Sequence, residues 1–143
     1  MIRASINQTA LPPSARLTGR AVDALMKEIT DRVRRKVDGN LSVAFIKEKE
    51  MQRLNKEYRH KDKVTDVLAF PLNEKDDNGV LLGEVLICYP QAKRQAAERG
   101  HTVKEEVLDL LIHGTLHVLG YDHETDKDAK VMLPLQDKIF SSL

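Results

Sequence analysis

Leu108-Asp109-Leu110-Leu111-Ile112-His113-Gly114-Thr115-Leu116-His117-Val118-Leu119-Gly120-Tyr121-Asp122-His123 is the stretch that decides the fold. From Leu108 to Leu119 it is apolar almost all round, and a helix that is hydrophobic on every side must be buried. Upstream, Thr102 followed by Glu105 matches a capping box, so the helix is expected to begin there. Downstream, Gly120 can adopt the left-handed conformation that commonly ends a helix. Three of the chain's five histidines lie in this stretch. On a helix, His113 and His117 are one turn apart with Cβ atoms roughly 6 Å apart, a suitable separation for two imidazoles on one Zn²⁺. After the turn at Gly120, His123 can reach the same metal from the loop. Three neutral nitrogen ligands leave the fourth tetrahedral position for water, as in a catalytic zinc site.

Working outward, residues 2–7 read as a short strand broken by Pro12-Pro13. Residues 20–37 read as an amphipathic helix with Val22, Leu25, Met26, Ile29, Val33 and Val37 on its apolar stripe. Asp38-Gly39-Asn40 is a turn, and Leu41 to Ile46 a strand. Residues 48–58 predict a helix with Met51, Leu54 and Tyr58 inward. Val64 to Phe70 reads as a strand stopping at Pro71, and Asn73 to Gly79 as a polar loop. Leu81 to Cys88 is a further strand, and the short link makes it an antiparallel neighbour of the preceding one. Residues 90–99 predict a helix closed by Gly100. Thr125 is placed to cap a last helix that Pro134 should kink or shorten. The mixture lacks strict βαβ alternation, so the expected class is α+β, a small mixed sheet packed by about five helices.

At 143 residues the chain is expected to form one domain, residues 1–143, large enough to bury a core. A composition of 41% hydrophobic and 31% charged residues is that of a soluble globular protein. No apolar run approaches the roughly 18 residues needed to span a bilayer. Residues 1–7 lack the apolar core of a signal peptide, and the single cysteine, Cys88, cannot make an intrachain disulfide. These features lead to the expectation of a cytoplasmic protein. A net charge of +1 is not the global basic footprint of a typical nucleic-acid binder, so attraction to RNA must come from local patches and from the metal.

One such patch is Lys56-Glu57-Tyr58-Arg59-His60-Lys61-Asp62-Lys63. Within it Arg59 is best suited to phosphate, because the guanidinium fork makes paired hydrogen bonds. Lys93, Arg94, Arg99, His101 and Lys104 form a second basic group, read as a solvated face. Asp122 is read equally as an acceptor for a histidine N–H and as a turn residue, and Tyr121 as a half-buried ring. Gly83 suggests a bulge or close backbone approach by a ligand. Cys88 reads as a small buried apolar residue outside the metal site. Glu84 and Asp122 are candidate general bases beside the metal itself.

The spacing of the three histidines also matches the zinc signature of metzincin peptidases. Those enzymes carry a general-base Glu after the first His, where this chain has Gly114. The other alternative is a ribosome- or RNA-binding module whose zinc is structural.

His113-Gly114-x-Leu116-His117-x-Leu119-Gly120-Tyr121-Asp122-His123, together with Thr65-Asp66-Val67-Leu68-x-Phe70-Pro71, Tyr58-Arg59 and Leu82-Gly83-Glu84, resembles the YbeY family of metal-dependent endoribonucleases, also called rRNA maturation factors. The resemblance implies an α+β fold with the metal at one end of a cleft and one Zn²⁺ per chain held by His113, His117 and His123. It implies cleavage of single-stranded RNA, maturation of the 16S rRNA 3′ end, ribosome quality control, and association with the ribosome or its small subunit. Arg59 and His113 match family residues implied to serve catalysis. No DNA or membrane partner is expected. Val64 and Ala69 depart from the Pro and Ser that the family often carries there, which leaves the metal ligands untouched but removes a hydroxyl that could contact RNA.

Overall fold

A computed structural model describes residues 1–143. Its apolar runs form four strands: β1 (Ile2–Asn7), β2 (Gly39–Ile46), β3 (Val67–Asp76) and β4 (Gly79–Cys88). They make one mixed sheet in the order β1-β2-β4-β3, parallel except for the antiparallel β3–β4 hairpin. Five helices accompany it: α1 (Gly19–Arg32), α2 (Glu48–Arg59), α3 (Tyr89–Arg99), α4 (Val103–Val118) and α5 (Asp126–Ser141). The α+β class and the helix count are as the sequence predicts.

The helix α4 is the expected buried element. Val107, Leu110, Leu111, Ile112, Leu116 and Val118 are all buried on it. Its N-terminus carries the complete capping box: Thr102 Oγ1 accepts from Glu105 N–H at 3.1 Å and the Glu105 carboxylate accepts from Thr102 N–H at 2.9 Å. It packs on β3 and β4, with α3 and α5 against it and α1 beside β1 and α5. The main core lies between these helices and the sheet. On the opposite face, Met51 of α2 closes a smaller cluster with Leu68, Leu86 and Cys88. Cys88 is fully buried there, away from the histidines, as expected.

Several bounds differ from the sequence reading for physical reasons. The first helix ends at Arg32 rather than at residue 37, because Val33 is already extended. Val33 and Val37 nevertheless stay in the core, so the periodic stripe marks burial beyond the helix itself. The third strand begins at Val67 and runs through Pro71 to Asp76 instead of stopping at Pro71. It is an edge strand, where the missing proline N–H is tolerated. The register shifts between Pro71 and Glu74, and Asn73 there takes a left-handed φ of 53°. The predicted polar loop is thus mostly a hairpin. Pro134 lies inside α5, which runs on to Ser141. The second helix turns Asn55 inward (2% exposed) and leaves Tyr58 58% exposed, against the expectation that Tyr58 faces the core.

Two glycines set the distance between α4 and the sheet. A Cβ on Gly114 would lie 2.6 Å from Val85 Cγ1 and 3.2 Å from Val67 Cγ2. One on Gly83 would lie 2.5 Å from the Phe70 carbonyl and 2.6 Å from Val118 Cγ1, so the close approach at that position is made by the protein's own β3 and α4. Gly114→Ala is therefore expected to lower stability. Overpacking costs about 1–3 kcal/mol, against a helix-propensity gain of about 1 kcal/mol. Urea denaturation measures the balance, and a G114A variant more stable than the parent would contradict the contact.

Candidate metal centre and cleft

The C-terminus of α4 forms the loop geometry that the sequence anticipates. Tyr121 N–H donates to Leu116 C=O and Gly120 N–H to His117 C=O, both at 3.0 Å, with Gly120 at φ +99°. This pair of bonds is a Schellman closure, and it turns the chain back over the last helical turn. Arg35 adds a guanidinium bond to the Leu119 carbonyl at 2.7 Å. Asp122 Oδ1 accepts from His123 N–H at 2.7 Å and fixes the bend. As a result His123 lies beside the two helical histidines.

One nitrogen from each of His113, His117 and His123 falls in a group whose members are all within 4.8 Å of one another. The ring centroids are 4.6, 5.0 and 5.1 Å apart. His113 Nε2 and His117 Nε2 approach to 3.1 Å. Three imidazoles pointing at one locus could hold a metal ion. The ring of His113 is oriented from behind: its Nδ1 lies 2.8 Å from Gln136 Oε1, and Gln136 Nε2 donates to Asp109 Oδ1 at 3.0 Å. With Nδ1–H donating to an amide oxygen, Nε2 keeps its lone pair for the shared locus. Asp122 serves the turn instead. Its carboxylate is 4.0 Å from His123 Nδ1, so of the two readings of Asp122 the geometry takes the bend.

Asp109 lies one helical turn before His113, on the same face, and that spacing is visible in the sequence. Gln136 is on another helix and gives no such signal.

These histidines form one end of a cleft of about 690 Å³. Its other wall comes from the end of α2, the segment after it and the start of β3, and includes Tyr58, Arg59, Lys61, Lys63 and Phe70. Arg59, Lys61 and Lys63 take part in none of the chain's ion pairs, whereas nearby Lys56 pairs with Asp62 and Arg53 with Glu57. The first basic patch of the sequence thus divides into a paired face and three unpaired cations in the cleft. Asp66 also lines the cleft, but its oxygens accept from Val67 N–H at 2.8 Å and Gln95 Nε2 at 3.1 Å. Glu84 is not brought to the cleft. Its neighbours Gly83 and Val85 face α4, so strand alternation points Glu84 to the other side of the sheet. Of the second basic group, Arg94 pairs with Glu48 at 2.9 Å and Arg99 with the buried Glu106 at 3.2 Å.

Burial, reinforced by the two neighbouring imidazoles, lowers His117 from 6.5 to about 4. It is a neutral donor at physiological pH. The unfolded chain takes up this proton near pH 6.5 and the folded, metal-free chain only near 4. Stability is therefore lost as pH falls between those values and is unaffected by this group above them. Denaturation of metal-free protein at about pH 7 and about pH 4.5 is expected to show a smaller loss for His117→Asn than for wild type, and parallel losses would contradict the assignment.

Comparison with known proteins follows the same lines. The family model described as Endoribonuclease YbeY matches residues 5–143. The Endoribonuclease YbeY of Sulfurihydrogenibium sp. (strain YO3AOP1) is 49% identical over 123 residues, covering 82% of this chain and 81% of that protein. That of Staphylococcus aureus (strain JH9) is 40% identical over 140 residues, covering 87% of this chain and 90% of that one. The solution structure of TM1509 from Thermotoga maritima superposes with a TM-score of 0.57 at 33% identity, over 99% of this chain and 87% of that one. No helix is long and apolar enough to cross a membrane. With a family model spanning nearly its whole length and curated relatives at this level of identity, the chain belongs to the YbeY endoribonuclease family.

Proposed function

We propose that residues 1–143 act as a single zinc-dependent endoribonuclease domain that cuts single-stranded RNA, with one Zn²⁺ per chain on His113, His117 and His123. The observation that carries this reading is the meeting of three convergent imidazoles with unpaired cations in one cleft. The donor set fits the metal: all three donors are nitrogens, His117 stays neutral, and the Gln136 contact leaves His113 Nε2 free. Bound there, zinc supplies Lewis-acid polarisation of a phosphoryl oxygen and activates water at neutral pH.

The chain's own side chains supply the rest. Arg59 clamps a phosphate with its guanidinium fork, and Lys61 and Lys63 hold the adjoining backbone by charge. His113 and His117 sit on a rigid helix, so the metal position is set before substrate arrives. Gly114, where a peptidase would carry its base, is pressed against Val85 and Val67 and leaves no room there for a Glu side chain. The natural target in this reading is rRNA, at the 3′ end of 16S rRNA, together with ribosome quality control. The small subunit would be the partner and the cytoplasm the location.

The test is cleavage of an end-labelled, largely single-stranded RNA. Wild type is expected to cut it, and His117→Ala to lose the activity with an unchanged circular dichroism spectrum. Equal cleavage by both proteins would remove the reading. Arg59→Ala is expected to lower kcat/KM by roughly 10- to 100-fold, the scale of one lost charged hydrogen bond. Gln136→Leu is expected to weaken zinc affinity by about 10- to 100-fold in chelator competition; unchanged affinity would show that His113 is oriented without it.

A further inference from the structure

Tyr58 is the aromatic side chain that the fold leaves without a core to join. It sits seven residues after the fully buried Met51, on the same side of α2, yet is 58% exposed. The reason is topological: β3 is the sheet's edge, so no further strand lies beyond it to cover the ring. The ring has one aromatic neighbour, Phe70 on β3, with centroids 5.3 Å apart and planes at 73°. An edge contact of this kind steadies the ring without covering both its faces. Tyr58 and Phe70 line the same cleft as the three histidines, and Tyr58 directly precedes Arg59.

An exposed aromatic ring beside an unpaired guanidinium has an obvious chemical complement. The guanidinium takes a phosphate and the ring takes the flat face of the base attached to it. We propose that Tyr58 is the base-stacking platform of the cleft, binding an unpaired nucleobase whose neighbouring phosphate is held by Arg59. This deepens the endoribonuclease reading and rests on it. It also gives a physical source for single-strand selectivity, since a base stacked within a duplex does not offer its face to a protein ring.

The test uses protein stripped of metal with a chelator, so that RNA binds without being cut. The probe is a single-stranded oligoribonucleotide carrying one 2-aminopurine, whose fluorescence is quenched on stacking. Wild type and Tyr58→Phe are expected to quench it and to bind with similar affinity. Tyr58→Leu keeps apolar bulk at an exposed site, so folding is not at stake. It is expected to lose the quench and to bind roughly 5- to 100-fold more weakly, the scale of one lost base–aromatic stack. The dependence of its binding on salt should match that of wild type, because no phosphate contact is removed. Arg59→Gln should do the reverse, keeping the quench and flattening the salt dependence.

Three results would overturn the proposal: wild-type quenching and affinity in Tyr58→Leu, absence of quenching by wild type, or equal quenching of the same strand annealed to its complement. Cleavage by the zinc-loaded protein is read separately. A chain that stacks RNA but never cuts it keeps this site and loses the proposed activity. One that cuts with Tyr58→Leu at wild-type KM keeps the activity and loses this site.

Discussion

The contact between α4 and the β3–β4 hairpin is the constraint on which the rest of the molecule depends. It is a contact made close by the absence of side chains. Gly114 on the helix and Gly83 on the strand each lie where a Cβ would overlap a neighbour. With both positions bare, the helix settles onto Val67 and Val85 and the strand backbone passes under Val118. Close-packed interiors do not tolerate small outward shifts cheaply. The depth of α4 is therefore well defined, and so is the position of His113 and His117 in the lining of the cleft.

A second set of interactions fixes the same helix from its polar side. Glu106 is fully buried on α4, and a buried carboxylate is tolerable only with partners. Arg99 and Gln95 of α3 supply them, at 3.2 and 3.1 Å. Gln95 also reaches Asp66 at the start of the cleft wall, and Arg99 lies 3.8 Å from Asp109. Asp109 holds Gln136 of α5, which holds His113. A line of hydrogen bonds and ion pairs thus joins α3, α4, α5 and the segment before β3. One imidazole of the histidine cluster and one wall of the cleft are positioned by the same network.

The chain's charge is close to balanced, and what matters is how the fold partitions it. Outside the cleft some cations meet an acid, on helix surfaces such as Lys27–Asp31 or across elements such as Arg94–Glu48. Arg59, Lys61 and Lys63 are left without acidic partners in a concave site. A low-dielectric wall concentrates the field of unpaired charge, which is how a nearly neutral protein can present an anion site.

Much of this was legible in the sequence. The burial of α4, its capping box, its glycine stop and the grouping of three histidines all follow from local spacing, because helical period and turn chemistry act over a few residues. The hairpin could be read from its short link, and Arg59 from side-chain chemistry. What sequence reasoning missed has a common cause. The early end of α1, the continuation of β3 through Pro71, the exposure of Tyr58, the departure of Glu84 from the cleft and the support of His113 by Gln136 depend on which strand is an edge and which helix lies behind which. Periodicity tells which residues avoid water, and it placed Val33 and Val37 in the core even where the helix had ended. It cannot say what stands opposite them. Local sequence thus determined the turn that groups the three histidines, whose residues are neighbours along the chain, while tertiary structure decided the cleft and the polar network, whose groups meet only through long-range packing.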